Sequence, residues 1–418
     1  MSLDERQRRY VKIEPRPEKK QGVAFLSEEL DRKYMARALQ LALRGAGHTR
    51  PNPMVGAVLV KDGRIIGEGW HKQYGGPHAE VNAFASATED PEGATLYVSL
   101  EPCSHYGKTP PCADLIIRKK VARVVAALED PNPLVSGCGF RKLRANGIRV
   151  TVGVLAEEAR HINDVFLTYV TRKRPFVLYK AAMSLDGKIA CHTGESEWIS
   201  SEKSREEVQR LRGILSGIMV GAGTVIADNP RLTCRMEEYE NPARIIVDGK
   251  LRVPVESRIF HETGRNIILT TSMADMEKKK ALEDLGVEMI EADSEEPGKV
   301  DLKSAMLALG IKGIDGILLE GGPTLAASAL EAGIIDAVRF YIAQKIIGGK
   351  EAPSPFAGVG AAHMNEVVPL TDAVYGTSGD DLWIQAYIQR DKKEPDAQEQ
   401  NAETDTTRAQ VDMNGGSC

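Results

Sequence analysis

Cysteine is sparse in this sequence: six residues in 418, at Cys103, Cys112, Cys138, Cys191, Cys234 and Cys418. So few thiols in so long a chain do not make a disulfide scaffold, and reduced thiols or metal ligands are expected instead. Cys138, Cys191 and Cys234 show no ligand-type spacing to one another and are read as packing or incidental thiols. Long apolar runs are missing as well. None approaches a membrane span, and no short apolar core follows the basic N-terminus as a signal peptide requires, so the cytosol is the expected location. Charge of one sign is not in excess: the formal net charge of −5 argues against a broad nucleic-acid-binding surface. Internal repeats are absent, and so is the GxGxxG fingerprint of a Rossmann nucleotide site.

What is present is ordinary globular material, 42% apolar and 27% charged. A chain of 418 residues exceeds what one hydrophobic core usually supports, so two domains are expected. Residues 1–26 carry charges of both signs and two prolines without apolar periodicity, the composition of a disordered arm. Asp4, Glu5, Glu14 and Glu18 do not suit an acid-poor targeting peptide. Ser27 is a plausible N-cap, followed by Glu28 and Glu29 in the first turn and by Met35, Ala38, Leu39 and Ala42 at helical spacing. "MVGAVLV" and "RIIGEGW" read as strands joined by a Lys61-Asp62-Gly63 hairpin. A helix-like "AEVNAFASA", a strand-like "ATLYVSL", a helix from about Ala113 and a strand "VARVVAAL" complete a layered α/β domain over 27–170. "TRKRP", 171–175, is a connector. A second α/β domain over 176–390 contains a helix Ser204–Leu215 and strands at "GIMVGAG", "ARIIVDG", "RNIILTT", "GILLEGG" and "AVRFYIA". The stretch 391–418, rich in Glu, Asp, Gln and Thr, is an expected disordered acidic tail.

Two constellations carry chemistry. The first joins His78-Ala79-Glu80 to "EPCSHYGKTPPC", Glu101 to Cys112. One imidazole (His78) and two thiolates (Cys103, Cys112) suit zinc, and three protein ligands leave a fourth position for water. Zinc would lower the pKa of that water to roughly 7. Glu80, beside the ligands but not one of them, would shuttle protons to a ring nitrogen and to departing ammonia, as in the zinc nucleobase deaminases with their His-x-Glu and Pro-Cys signature. Taken singly, His78 is a polar residue at a helix start and each cysteine a buried thiol; the conjunction is what points to a metal. His105 is left out of the ligand set because a fourth protein ligand would close the open position.

The second constellation is "GILLEGGPTLAASAL", Gly316 to Leu330: a strand, a glycine pair, a proline and a helix. The amides at such a helix start suit a phosphate, and Pro323 suits the first turn. By itself the motif is equally a plain strand–turn–helix connection.

Eight residues separate Cys103 from Cys112, where ordinary deaminases have two. This loop, with "TRPNPMVGAVLV" and "GWHKQYGGPHAE", resembles the deaminase half of the bifunctional riboflavin-biosynthesis deaminase/reductase family. "KAAMSLDGKIA", "GESEWISS", "RLRGILSGIMVGAGTVIADNPRLTCR" and "LLEGGPTLAA" resemble its reductase half. The resemblance runs from about Glu28 to Tyr387. It implies a cytidine-deaminase-like three-layer domain followed by a dihydrofolate-reductase-like domain, with Zn2+ and NADPH as cofactors. It implies that Asn52, His71 and Lys108 grip the deaminase substrate, although Asn52 also suits a turn, Lys108 a solvated loop and His71 a local hydrogen bond. It implies NADPH at Ala182, Trp198, Thr224, Asp228 and Gly322, Pro323, Thr324, Leu325, Ala326 and Ala327. Lys180, Ser196, Arg212, Leu232, Arg235 and Glu320 would surround the phosphorylated sugar. As plainer alternatives, Trp198 is a core aromatic, Asp228 a turn residue and Glu320 a helix-end charge. Small pyrimidine ribosyl phosphates are the implied partners, with no nucleic acid, no membrane and a homo-oligomeric state. The sequence departs from the family pattern at Ser216-Gly217, commonly Asp-Ala, and at Gln344, usually proline. A zinc deaminase of other specificity with a non-redox second domain, and a binding protein with structural zinc, are the rival readings.

Overall fold

A computed structural model describes residues 23–106, 110–132 and 136–389. The tail expected at 391–418, residues 1–22 of the expected arm, and Lys108 lie outside the described residues. The chain divides into two compact units between Arg172 and Lys173. Among the described residues no helix is long and apolar enough to cross a membrane.

In the first unit, helix α1 (Val23–Ala42) starts before Ser27, so Ser27 lies inside the helix rather than capping it, and 23–26 are helical rather than part of a disordered arm. The sheet comprises β1 (Gly56–Lys61), β2 (Arg64–Trp70), β3 (Thr95–Leu100), β4 (Arg123–Leu128) and β5 (Arg149–Val152), in the order β2-β1-β3-β4-β5. The hairpin β1–β2 and the pair β1–β3 are antiparallel, whereas β3, β4 and β5 run parallel. Strand side chains alternate between faces. Val58, Val60 and Tyr97 meet Met35, Ala38 and Leu39 of α1 on one side, together with α5 (Ala156–Ile162). Ala57, Leu59, Leu96 and Val98 meet α2 (Ala79–Ala85), α3 (Cys112–Arg118) and α4 (Cys138–Ala145) on the other. The result is three layers, helix–sheet–helix.

Two glycines decide how close α2 lies to the sheet. A β-carbon on Gly67 would stand 2.4 Å from the Ala83 carbonyl oxygen, and one on Gly69 would stand 2.3 Å from the Ala83 nitrogen and 2.4 Å from the Ala79 oxygen. These are backbone atoms of α2 and cannot swing aside. Gly69→Ala is therefore expected to force α2 outward and destabilise this unit by ~1–3 kcal/mol. Thermal denaturation of the variant checks this, and an unshifted melt would refute the close-approach reading.

Helix α6 (Asp164–Arg172) runs through the first two residues of the expected connector. Its last residues are not loose either: Arg174 is buried and forks onto the Asp336 carboxylate at 2.8 and 2.7 Å. The second unit holds a nine-stranded sheet: β6 (Phe176–Ser184), β7 (Gly217–Gly221), β8 (Ala243–Val247), β9 (Asn266–Thr270), β10 (Glu288–Glu291), β11 (Gly316–Leu319), β12 (Ala337–Ala343), β13 (Leu370–Ser378) and β14 (Asp381–Ile388). Its order is β10-β9-β8-β7-β11-β6-β12-β14-β13, parallel as far as β12 and antiparallel beyond. The helices are α7 (Glu202–Ile214), α8 (Ala222–Asp228), α9 (Met276–Asp284), α10 (Leu302–Ile311) and α11 (Pro323–Glu331). Helices α10 and α11 pack on one face of the sheet, and α8 and α9 on the other. Strand β11, late in sequence, inserts between β6 and β7. In an open parallel sheet, a crevice outside the carboxyl ends of the strands at such a point is where ligands bind.

Candidate active sites

His78 sits at the N-cap of α2, with Glu80 in the first turn. Cys112 opens α3, and Cys103 follows β3 through Glu101-Pro102. His78 Nδ1 lies 3.5 Å from Cys103 Sγ and 3.4 Å from Cys112 Sγ, and the three donor atoms all fall within 4.8 Å of one another. Tetrahedral zinc with ordinary Zn–S and Zn–N bonds places its ligands roughly 3.5 Å apart, so these donors fit that ion. The Cys103 sulfur accepts from the Cys112 thiol, His78 and the Cys112 backbone N–H (3.3 Å), which favours its thiolate. Cys112 is pushed the other way by sharing with Cys103 and by burial. A bound metal would hold both as thiolates. Cys191 and Cys234 are free thiols, as expected of them.

The cluster borders a cavity of ≈ 330 Å³ that Asn52, His71, Glu80, Glu101, His105 and Asp130 also line. Glu80 is 3% exposed. Burial pushes its carboxyl up to about 7, and the nearby Cys103 adds to this more than the attraction of His78 subtracts. His71 is buried, and burial pulls its ring below the usual histidine range, so it is neutral near pH 7. Its Nδ1 donates to the Pro77 carbonyl (3.1 Å), since that oxygen only accepts. Nε2 is then the acceptor for the Asn52 side-chain amide at 3.3 Å. Both ring nitrogens of His71 thus have protein partners, and His71 and Asn52 line the cavity side by side.

Glu101 received no role from its position in the sequence. Its buried carboxylate accepts from the backbone N–H groups of Asp130 (3.1 Å), Gly137 (2.9 Å) and Phe140 (3.2 Å). It thereby ties the segment after β4 to the turn that carries Cys103. Burial raises the Asp130 carboxyl above its usual range.

In the second unit, Lys180, midway along β6, and Glu320, directly after β11, come side by side where the pairing of these adjacent parallel strands ends. The Glu320 backbone N–H donates to the Met219 carbonyl (3.0 Å), locking it against β7. Arg212 of α7 forks onto Glu320 at 2.8 and 3.0 Å and donates to the Thr233 carbonyl at 3.2 Å. The side chains of Arg212 and Glu320 are 15% and 12% exposed, so the pair is largely desolvated. Burial would raise the Glu320 carboxyl, but Arg212 and Lys180 outweigh it and hold it below the usual range. Burial lowers Lys180, against the pull of Glu320.

Gly322 caps α11, Pro323 is its first residue, and Thr224 Oγ1 lies 3.6 Å from where a Gly322 β-carbon would stand. Trp198 is 61% exposed, so it is no core aromatic, and the Arg205 guanidinium stacks 4.4 Å from its ring centroid. Asp228 lies near Glu197, beside Trp198; burial and that neighbouring charge raise its carboxyl. Ser196 and Arg235 are exposed. Ala182 packs against the cluster of Val208, Tyr341 and Trp383. Leu232, Leu325 and Ala326 are buried in the hydrophobic cores, which leaves only their backbones for a ligand; Thr324 is exposed and Ala327 half-buried.

Residues 28–128 match the family model described as cytidine and deoxycytidylate deaminase zinc-binding region, and residues 175–382 match the RibD C-terminal domain. Riboflavin biosynthesis protein RibD of Actinobacillus pleuropneumoniae is 45% identical over 356 residues, 85% of this chain and 94% of that protein. The chain belongs to the RibD family. The RibD of Escherichia coli (strain K12) is 43% identical over 76% of this chain and 89% of its own length. Among solved structures, RibD of Acinetobacter baumannii superposes with a TM-score of 0.76 at 35% identity, covering 87% of this chain and 100% of that one. A diaminohydroxyphosphoribosylaminopyrimidine deaminase/5-amino-6-(5-phosphoribosylamino)uracil reductase of Thermotoga maritima gives 0.75 at 40% identity, with coverages of 87% and 100%.

Two departures from the RibD pattern have local explanations. Ser216 Oγ accepts from the Asp315 and Gly316 N–H groups, both at 3.1 Å, at the start of β11. Gln344 donates to the Asp380 carbonyl (2.7 Å) across the β13–β14 turn. Neither touches the residues assembled above. Of the RibD residues that sequence reading passed over, Glu101 stands directly before the Pro-Cys pair, a position that could have flagged it. Phe166, which also lines the cavity, comes from α6 and carries no signal in the sequence.

Proposed function

We propose that this chain catalyses two consecutive steps of riboflavin biosynthesis. The first is zinc-dependent hydrolytic deamination of 2,5-diamino-6-(5-phosphoribosylamino)pyrimidin-4-one. The second is NADPH-dependent reduction of the ribosyl side chain of the resulting 5-amino-6-(5-phosphoribosylamino)uracil to ribityl. The observation that carries the first step is the three-donor cluster with buried Glu80 on one cavity wall. His78, Cys103 and Cys112 would hold zinc, which when bound supplies Lewis-acid activation of the attacking water. Glu80 takes a proton from that water and returns protons to the ring nitrogen and the leaving amine, so that ammonia departs and a carbonyl remains. Asn52, held by His71, orients the pyrimidine, and Lys108 takes the phosphate.

For the second step, Lys180 and Glu320 would hold the opened ribose in its imine form, and the bound nicotinamide would supply the hydride that reduces it at C1′. Arg235 and Ser196, both exposed, and the Arg212 guanidinium surround the sugar phosphate. Trp198, Thr224, Asp228 and the Gly322–Ala327 segment would hold NADPH, and the backbone amides that open α11 suit a phosphate. We further propose a cytoplasmic homo-oligomer; the edge strand β13, with Leu370, Val374 and Tyr375 exposed, supports association.

The test is a two-stage assay of the purified protein with the diaminopyrimidine substrate. Ammonia release is expected without any nicotinamide. On adding NADPH its absorbance should fall in step with the deaminated product, and NADH should serve less well. Ammonia release with no NADPH consumption would leave a deaminase with a non-redox second domain.

A further inference from the structure

Between β12 and β13 the chain crosses the second unit as a segment, Lys345–Ala357, without helix or strand. It is held from below by the turn that ends β6. The Leu185 N–H donates to the Lys345 carbonyl (2.8 Å), and the Ile347 and Gly348 N–H groups donate to the Asp186 carboxylate (3.1 and 2.7 Å). The Lys188 ammonium donates to the Ala352 carbonyl (2.8 Å), and the Tyr179 hydroxyl to the Pro355 carbonyl (2.6 Å). Its two ends reach two places far apart in sequence: the Lys345 ammonium donates to the Trp198 carbonyl (2.6 Å), and the Ala357 N–H to the Pro323 carbonyl (3.1 Å).

Trp198 and Pro323 both belong to the cofactor cradle proposed above, and no residue of the strap has a part in that proposal. Gly348 and Gly349 take φ of +73° and +79°, so the strap turns just where Asp186 grips it, in a conformation glycine alone adopts cheaply. Ser184, itself fully buried, donates its hydroxyl to the same carboxylate at 2.6 Å and fixes its direction. With no ladder of its own, the strap depends on such ties to be ordered. Ile346 and Leu185 beside the grip are 70% and 63% exposed, so apolar packing does not hold it there.

We infer that Asp186 is a positioning residue of the reductase: it fixes the Lys345–Ala357 strap, and through it the placement of Trp198 relative to the start of α11. The inference rests on the assignment of Trp198 and the Gly322–Ala327 segment to the cofactor. Losing the carboxylate frees the grip while the Lys180–Glu320–Arg212 group keeps its own contacts. Cofactor affinity should therefore suffer and the chemical step should not.

The experiment uses the full chain, with Asp186→Ala, Asp186→Asn, Lys345→Met and Trp198→Ala compared. NADPH binding is titrated by its fluorescence, and KM and kcat of reduction are measured alongside ammonia release. Asp186→Ala is expected to raise Kd and KM for NADPH about 5- to 20-fold, through loss of the two exposed charge-assisted hydrogen bonds from Ile347 and Gly348. Its kcat should stay within about 2-fold, since a uniform binding loss leaves the step itself alone, and deamination should be unchanged. Asp186→Asn, keeping one acceptor oxygen, should fall between, and Lys345→Met should also raise KM. If Trp198→Ala weakens NADPH while Asp186→Ala and Lys345→Met leave Kd and KM at the parent values, the strap role is overturned alone. If Trp198→Ala leaves NADPH binding unchanged, the cofactor assignment fails and the inference with it. A fall in kcat at unchanged KM also overturns the role. Should Asp186→Ala not fold, Asp186→Asn and Lys345→Met decide by the same readings.

Discussion

Glu80→Gln is expected to keep zinc and lose deamination by on the order of 10³-fold, within the range that a positioned acid–base contributes. Glutamine matches glutamate in size and still accepts and donates hydrogen bonds, so the first turn of α2 and the neighbouring His78 should stay in place. What it lacks is a titrating proton. Glu80 suits the task because burial raises its carboxyl to about 7, where it can both take and return a proton at neutral pH. Cys112→Ser is the comparison: it should lose metal and deamination together, because it removes a donor 3.4 Å from His78 Nδ1. In both variants reduction of supplied 5-amino-6-(5-phosphoribosylamino)uracil should continue at the parent rate. Metal content per chain, ammonia release and NADPH consumption on one preparation separate the outcomes. Undiminished ammonia release from Glu80→Gln would remove Glu80 from the mechanism.

Glu320→Ala should have the second large effect, confined to reduction. This carboxylate is the counter-charge for both Arg212 and Lys180, in a place where neither cation is well solvated. Removing one partner of a buried pair costs ~3–5 kcal/mol because the other charge is left uncompensated. Lys180 would respond by giving up its proton more readily, since the attraction that opposes its burial would be gone. Reduction is expected to fall at least ~10²-fold, as for loss of an electrostatic contact to the reacting centre, and the second unit should melt earlier. Glu320→Gln keeps the shape and part of the hydrogen bonding to Arg212. It should recover much of the stability but little of the activity. Activity within a factor of about 2 of the parent in Glu320→Gln would show that the charge does not act in the reaction.

The elements legible in sequence were those with strong local signals. "RIIGEGW" became β2 and "AVRFYIA" became β12 residue for residue, because short β-branched and aromatic runs bounded by polar residues have few other uses. Helix α7 and its apolar face were legible for a similar reason. Strands β5 and β10 were not, being four residues each and partly exposed, and neither was the β13–β14 hairpin, whose first strand mixes polar and apolar residues without alternation and lies open to solvent. Ser27 reads as a cap by composition, yet α1 extends past it to Val23.

The composition and motifs of this chain were enough by themselves to name its chemistry. His-Ala-Glu and two cysteines around an eight-residue loop form a donor set with a proton carrier, because residue type alone decides what can bind zinc and what can move a proton. Tertiary structure decided everything that depends on distance. It brought His71 within hydrogen-bond reach of Asn52 at the cavity wall, and it made Glu101 a buried acceptor for the loop after β4. Above all it slid β11 between β6 and β7, setting Glu320 beside Lys180 and within the fork of Arg212. Those three residues are separated by 32 to 140 positions in the chain (212 − 180 = 32; 320 − 180 = 140). No local pattern encodes such a meeting, because strand order in a parallel sheet is settled by which hydrophobic faces can be buried together, and that is a property of the whole unit.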